Sequence, residues 1–387
     1  FNQNDFFYWL LTVLPQWNYF AASFESLSAY AYCTYSVETT NTEYLNNLSN
    51  IEKKSLLINE LQIYFSDIIT KNKDFLHNFC TTFPQYQNYQ YIFENIIQEK
   101  QHEMSLPEEN LAIDMQRTAG DAWSRLHEQI ISNLVDNQTN KTFNQLRNEA
   151  YSESREDRQT AYKKELNLLE QNKIAFAACL NNIKGETLTL NKRRQWQTPI
   201  QRACFSSRLS EKTLNALISA IEQSLPFWRD YLNTKAQILN IDKCAFYDLF
   251  APLTPNESSS TKKNNSPEKT WSFKEAKEYI IQKISAFSDD FGNFVKMAFE
   301  NNWIDAKVRQ GKVGGAYCQD FPLQKESRVL SNFTGTFSDI TTLAHELGHA
   351  FGLNHCPDQH CFMVDAEHKM KFPQIKNFCK ECKSKLN

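Results

Sequence analysis

Residues 341–387 read TTLAHELGHAFGLNHCPDQHCFMVDAEHKMKFPQIKNFCKECKSKLN. His345 and His349 stand four apart, so on a helix their imidazoles share one face, about one turn apart, a spacing that suits two ligands of one zinc ion. Glu346, beside the first histidine, is placed to meet water at such a metal rather than to bind it, as a general base requires. Ile340, Leu343, Leu347 and Phe351 fall on the opposite face and would anchor the helix in a core. Gly352 permits a left-handed residue that ends the helix, after which the chain can return His355 to the same metal. H-E-x-x-H alone is moderately specific. H-E-x-x-H-x-x-G-x-x-H is far more so in a chain with eight histidines and nine glycines.

Four of the ten cysteines follow. Cys356 and Cys361 form one close pair, and Cys379 and Cys382 another, a spacing that fits a closed four-thiolate zinc site. So short a tail has little core, and a structural metal would supply the missing stability. Two disulfides or four free thiols are the alternatives. The other six cysteines (33, 80, 179, 204, 244, 318) are scattered singly, several in apolar runs such as IAFAACL (174–180), and read as buried free thiols in a reducing, cytoplasmic setting.

The rest of the chain divides by its glycines. Residues 1–291 hold only Gly120 and Gly185, and a Gly-poor stretch with apolar residues at 3.6-residue spacing predicts helices. In DMQRTAGDAWSRLHEQIISNL (114–134), Met115, Ala119, Trp123, Leu126, Ile130 and Leu134 share one face and are expected to be core. TPNESSSTKKNNSPEKT (254–270) lacks periodicity and reads as a polar surface loop or linker. SFKEAKEYIIQKISAF (272–287) returns to helical spacing. GKVGGAYCQDFP (311–322) and ESRVLSNFTGTFSDI (326–340) read as short strands and turns, a small sheet before the His345 helix.

A formal charge of -3, with no basic run longer than KRR, argues against nucleic acid or an anionic membrane as partner. The opening FNQNDFFYWLLTVLPQW carries about nine apolar residues in a row, too few to cross a bilayer. It also lacks a basic leader region, so no secretory signal is expected.

Two resemblances meet at the histidine motif. From HELGHAFGLNHCPDQHCFM through CKEC (345–382) the chain resembles archaemetzincin. That resemblance implies a catalytic zinc on His345, His349 and His355 with Glu346 as base. It also implies a structural zinc on Cys356, Cys361, Cys379 and Cys382, with Met363 in the turn beneath the catalytic metal. Over roughly residues 15–350 the chain instead resembles the oligoendopeptidase F and thimet oligopeptidase family. ACLNNIKGE (178–186), YDLFAPL (247–253), GKVGGAYC (311–318) and ESRVLSNFTGTFSDITTLAHELGHA (326–350) carry that likeness. It implies a largely helical peptidase whose channel, lined by GKVGGAY and NFTGT, admits short peptides. In that family the helix continues past the second histidine and the third ligand is a later Glu. Here Gly352 intervenes, and Glu367 is the one substitute, at a short spacing.

The expected architecture is mainly α and hybrid: a large helical body (1–253), the polar linker (254–270), a small α+β, zincin-type catalytic region (271–355) and a zinc-stapled tail (356–387). The expected function is zinc-dependent hydrolysis of peptides, with one catalytic and one structural Zn2+. The competing expectations are a non-catalytic zinc-binding scaffold and an inactive truncated hybrid.

Overall fold

The computed structural model describes residues 1–253 and 270–353. Helices dominate, as the scarcity of glycine predicts. In chain order they are α1 (Gln3–Val37), α2 (Thr42–Lys71), α3 (Leu76–Thr82), α4 (Tyr89–Lys100), α5 (Leu106–Gln116) and α6 (Gly120–Asn133). A two-residue hairpin, β1 (Val135–Asp136) and β2 (Lys141–Thr142), precedes α7 (Phe143–Asn148), α8 (Arg155–Gln171), α9 (Lys173–Arg193), α10 (Pro199–Ser206) and α11 (Glu211–Ile238). After residue 270 come α12 (Phe273–Ser285), α13 (Asp289–Glu300), β3 (Ile304–Lys307), β4 (Tyr317–Phe321), β5 (Glu326–Phe333) and α14 (Phe337–Ala350).

Contacts divide the chain into two compact units, each assembled from separated segments. The first comprises Phe1–Ala21, Asn46–Glu128 and Leu169–Cys244; the second comprises Ala22–Leu45, Gln129–Leu168 and Ala245–Asn387. The first unit's core is aromatic: Phe6, Phe7, Phe79 and Phe93 are buried with Leu10, Leu14 and Ile69. Phe79 packs against Phe7 at 5.4 Å and Phe83 at 5.1 Å between ring centroids. Edges and faces of rings attract, so such pairs add to the burial of area itself.

In the second unit the expected small sheet is present, ordered β3-β5-β4, with β3 parallel and β4 antiparallel to β5. The β3–β5 register runs Ile304↔Val329, Asp305↔Leu330 and then Lys307↔Phe333, a slip that bulges the ladder. Val329 and Leu330 on β5, Ile280 and Ile284 on α12, Phe291 and Val295 on α13, and Ile340, Leu343 and Leu347 on α14 are buried. That places the apolar face of α14 where the sequence put it.

The Met115–Leu134 stripe is not core. Met115 is 57% exposed and Leu126 37%, and none of the six residues is fully buried. The stripe fails because the helix breaks between α5 and α6. The Thr118 hydroxyl donates to the Met115 carbonyl and the Arg125 guanidinium to that of Arg117, so side chains take carbonyls that a continuing helix would use. Gly120 then restarts the helix, its N–H donating to the Glu186 carboxylate.

Among the described residues no helix is long and apolar enough to cross a membrane. Cys33, Cys80, Cys179, Cys204, Cys244 and Cys318 are free thiols, three buried and three half-buried. Most of the linker (254–269), and His355, Cys356, Cys361, Met363, Glu367, Cys379 and Cys382, lie outside the described residues.

Candidate active site

Helix α14 starts at a built-in anchor. Thr336 is its N-cap, accepting from the Asp339 N–H, while Asp339 Oδ2 accepts from the Thr336 N–H at 3.0 Å. Such reciprocal capping is worth about 1 kcal/mol. The same carboxylate oxygen takes the N–H and hydroxyl of Thr334 at 2.8 and 3.0 Å, fixing the NFTGT turn to the helix it leads into. Gly335 is required there. Its φ is +98°, and a Cβ would come within 2.8 Å of the Trp271 carbonyl. Tyr151 hydrogen-bonds Ser338 in the first turn and stacks on Phe250 of YDLFAPL at 5.4 Å. Asn148 Nδ2 donates to Thr334 Oγ1 at 3.1 Å.

One turn from its end, the helix carries the predicted pair. His345 is 3% exposed and Glu346 8%, so both lie within the fold. The two imidazoles stand nearly perpendicular, at 87°, with Nε2 of His345 and Nε2 of His349 3.0 Å apart. The helix ends as the sequence anticipated, with Gly352 at φ +95° and its N–H on the His349 carbonyl. The next residue returns the Leu353 carbonyl to His349 Nδ1 at 2.8 Å. A carbonyl only accepts, so the proton sits on Nδ1 and the Nε2 lone pair is left for a metal, the usual backing of a ligating histidine.

The donor set fits zinc. Two nitrogens bound to one tetrahedral ion stand about 3.4 Å apart, a few tenths of an ångström more than the separation here. Among the described residues no group of three or more His, Cys, Asp or Glu could hold a metal; the expected third ligand, His355, lies beyond them.

Sequence reasoning named GKVGGAY and NFTGT as channel lining but did not single out Cys318, Tyr317 or Asn332. Cys318 is the second residue of β4, the strand that packs against α14. Burial, with the Asp320 and Glu346 carboxylates, pushes its thiol up to about 12. The Cys318 thiol is thus kept neutral. Tyr317 meets Ser36 Oγ at 2.6 Å, and burial pushes its phenol well up. Asn332 of NFTGT donates to the Val313 and Gly315 carbonyls at 3.0 and 2.9 Å. The signal available beforehand was the pairing of a Gly-rich stretch with an Asn-bearing strand.

A mainly helical chain that sets an H-E-x-x-H helix against a three-stranded sheet defines a class, and comparison with known proteins gives the family. The pattern of peptidase family M3 matches residues 149–354, more than half of the chain, and the chain belongs to that family. A pattern described as oligopeptidase F matches residues 68–135. Peptidase family M54 matches residues 338–387, so the M3 and M54 matches share 338–354.

An oligoendopeptidase F homolog of Lactococcus lactis subsp. lactis (strain IL1403) is 27% identical over 356 residues, 88% of this chain and 56% of that one. Oligopeptidase PepF of Bacillus subtilis (strain 168) is 23% identical over 292 residues, 73% of this chain and 42% of that one. Among solved structures, an oligoendopeptidase F from Bacillus anthracis str. Ames matches with a TM-score of 0.68 at 18% identity, over 86% of this chain and 59% of that one. PZ peptidase A also matches at 0.68, with 15% identity over 86% and 56%. These structures share the helical fold. The chain spans about half the length of the curated relatives it matches.

Proposed function

We propose that this chain is a zinc-dependent metallopeptidase that hydrolyses short peptides. The observation that carries the reading is the convergence of His345 and His349 Nε2, with His349 oriented by the Leu353 carbonyl and Glu346 alongside. Membership of peptidase family M3 and relatives named as oligopeptidases support it. His345, His349 and His355 would hold the catalytic zinc, which supplies a Lewis acid that polarises the peptide carbonyl and acidifies water. A Glu346 carboxylate oxygen takes the proton from the attacking water and delivers it to the nitrogen of the leaving amine. The low exposure of His345 and Glu346 keeps bulk water away, which strengthens each charge interaction in the site.

The M54 match over residues 338–387 supports a second, structural zinc on Cys356, Cys361, Cys379 and Cys382, with Met363 beneath the catalytic metal. Its overlap with the M3 match across α14 supports a hybrid joined within that helix, with a tail from residue 356 onwards. Six free thiols support a reducing compartment such as the cytoplasm.

Two measurements test the reading. Purified chain should hold two zinc ions and cleave a short quenched-fluorescence peptide. Glu346→Gln should cut turnover by about 10²–10⁴-fold with zinc per chain unchanged. Surviving turnover in that variant would sink the mechanism, and zinc retained without cleavage by wild type would favour a zinc-binding scaffold.

A further inference from the structure

Lys312, the second residue of GKVGG, is 0% exposed, which lysines almost never are unless their ammonium is paired. Its Nζ donates to Asp305 Oδ1 at 2.9 Å and to three backbone carbonyls, those of Asp305 at 3.0 Å, Lys307 at 3.1 Å and Ser331 at 2.7 Å. All of these lie where the β3–β5 ladder slips between Asp305 and Lys307, so the ammonium fills the gap the bulge opens. Burial lowers the Lys312 ammonium's pKa and Asp305 opposes that shift.

The loop around it is held on every side. The Gly311 N–H donates to the Ser132 carbonyl, and the Gly311 carbonyl accepts from the Thr39 N–H. The Val313 N–H donates to the Ser36 carbonyl at 2.8 Å, and Asn332 holds the carbonyls of Val313 and Gly315. A Cβ at Gly314 would lie 2.7 Å from Asn144 Oδ1, so this glycine serves close fit rather than freedom. From Gly315 the chain runs directly into β4, which packs against α14, the helix that bears Glu346.

We propose that Lys312 is a positioning residue: its enclosed ammonium clamps the glycine-rich loop, and through it β4, at a fixed place against the helix that bears Glu346. The catalytic consequence rests on the peptidase reading above; the clamp does not.

Lys312→Met in the full chain removes the ammonium at similar volume and strands buried acceptors. Iodoacetamide labelling of Cys318, followed by peptide mass mapping, should quicken about tenfold, as should amide exchange at Val313. Cys80, Cys179 and Cys204, buried in the other compact unit, should keep wild-type rates. Against a short quenched-fluorescence peptide, kcat should fall about tenfold with KM and zinc per chain near wild type. Asp305→Asn keeps the three carbonyl partners and should show the same pattern more weakly; it serves where the Met variant does not fold. Unchanged Cys318 labelling and Val313 exchange overturn the clamp. A parallel rise at all four cysteines marks general destabilisation and overturns it too. Faster labelling with unchanged kcat overturns the positioning role. If wild type cleaves no peptide, the peptidase reading falls, and labelling still decides the clamp.

Discussion

The two compact units solve the problem of an interior in different ways. In the first, the cluster around Phe79 is rings and aliphatic chains, and among the described residues its buried polar groups are few: Ser66, Glu109, Asn191 and Lys235. The second buries Asp136, Arg158, Glu165, Asp248, Lys312, His345 and Glu346. Buried charge costs several kcal/mol per ion unless partners offset it, and here partners are supplied. Asp248 accepts from Arg155 and Arg158, Asp136 from Lys164 and Thr139, and Lys312 has its four acceptors. The first unit is built for packing. The second buries charge and surrounds it with hydrogen bonds.

Core truncations should sharpen that contrast most. Phe79→Ala should cost about 3–5 kcal/mol, read by denaturant unfolding, with zinc affinity of the folded chain unchanged. Leu343→Ala, on the buried face of α14, should cost about 2–5 kcal/mol and also weaken zinc, because the face it empties seats His345 and His349. Equal zinc affinity in the two variants would break the distinction.

Acid should expose the second unit's reliance on charge. Burial would raise the Asp305 carboxyl, but hydrogen bonds from Arg309 and Lys312 outweigh it and hold the pKa at about 2, against an ordinary 3.8. A carboxylate with a depressed folded pKa stabilises fully above its unfolded value and loses that contribution as pH falls through the folded one. Stability should therefore decline between about pH 4 and pH 2, and Asp305→Asn should flatten that limb of the curve. An identical acid limb in the variant would remove Asp305 from the account.

The smallest effect belongs to the stripe that the structure moved out of the core. Met115→Ala should change stability by less than about 0.5 kcal/mol; a loss several times larger in thermal unfolding would put Met115 back inside.

What could be read from the chain beforehand was whatever depends on near neighbours. The 3.6-residue spacing of Ile340, Leu343 and Leu347, the His345–His349 interval and the stop at Gly352 are local facts, and α14 follows them. The small sheet was legible for the same reason, from Val, Phe and Thr set between glycines. The break at Arg117–Ala119 was hidden because it depends on Arg125 and Glu186, residues that periodicity does not connect to it. Lys312 was hidden more deeply. A lysine among glycines reads as solvent-facing, and its burial follows from a register slip whose partners come from β3 and β5. Cys318 likewise gains its place against α14 from the strand order of the sheet.

The glycine-rich loop also sets the order in which the molecule can become functional. Its neighbours Ser36 and Tyr317 are 281 positions apart in the chain, and Ser132 supplies another contact from the middle. Closing so long a loop must be compensated by contacts made on arrival, which makes such pairings slow. The helix bearing His345 draws its spacing and caps from near neighbours, whereas the sheet packed against it waits for distant segments to meet. An incompletely folded chain would thus carry the histidine motif without the sheet that packs against it.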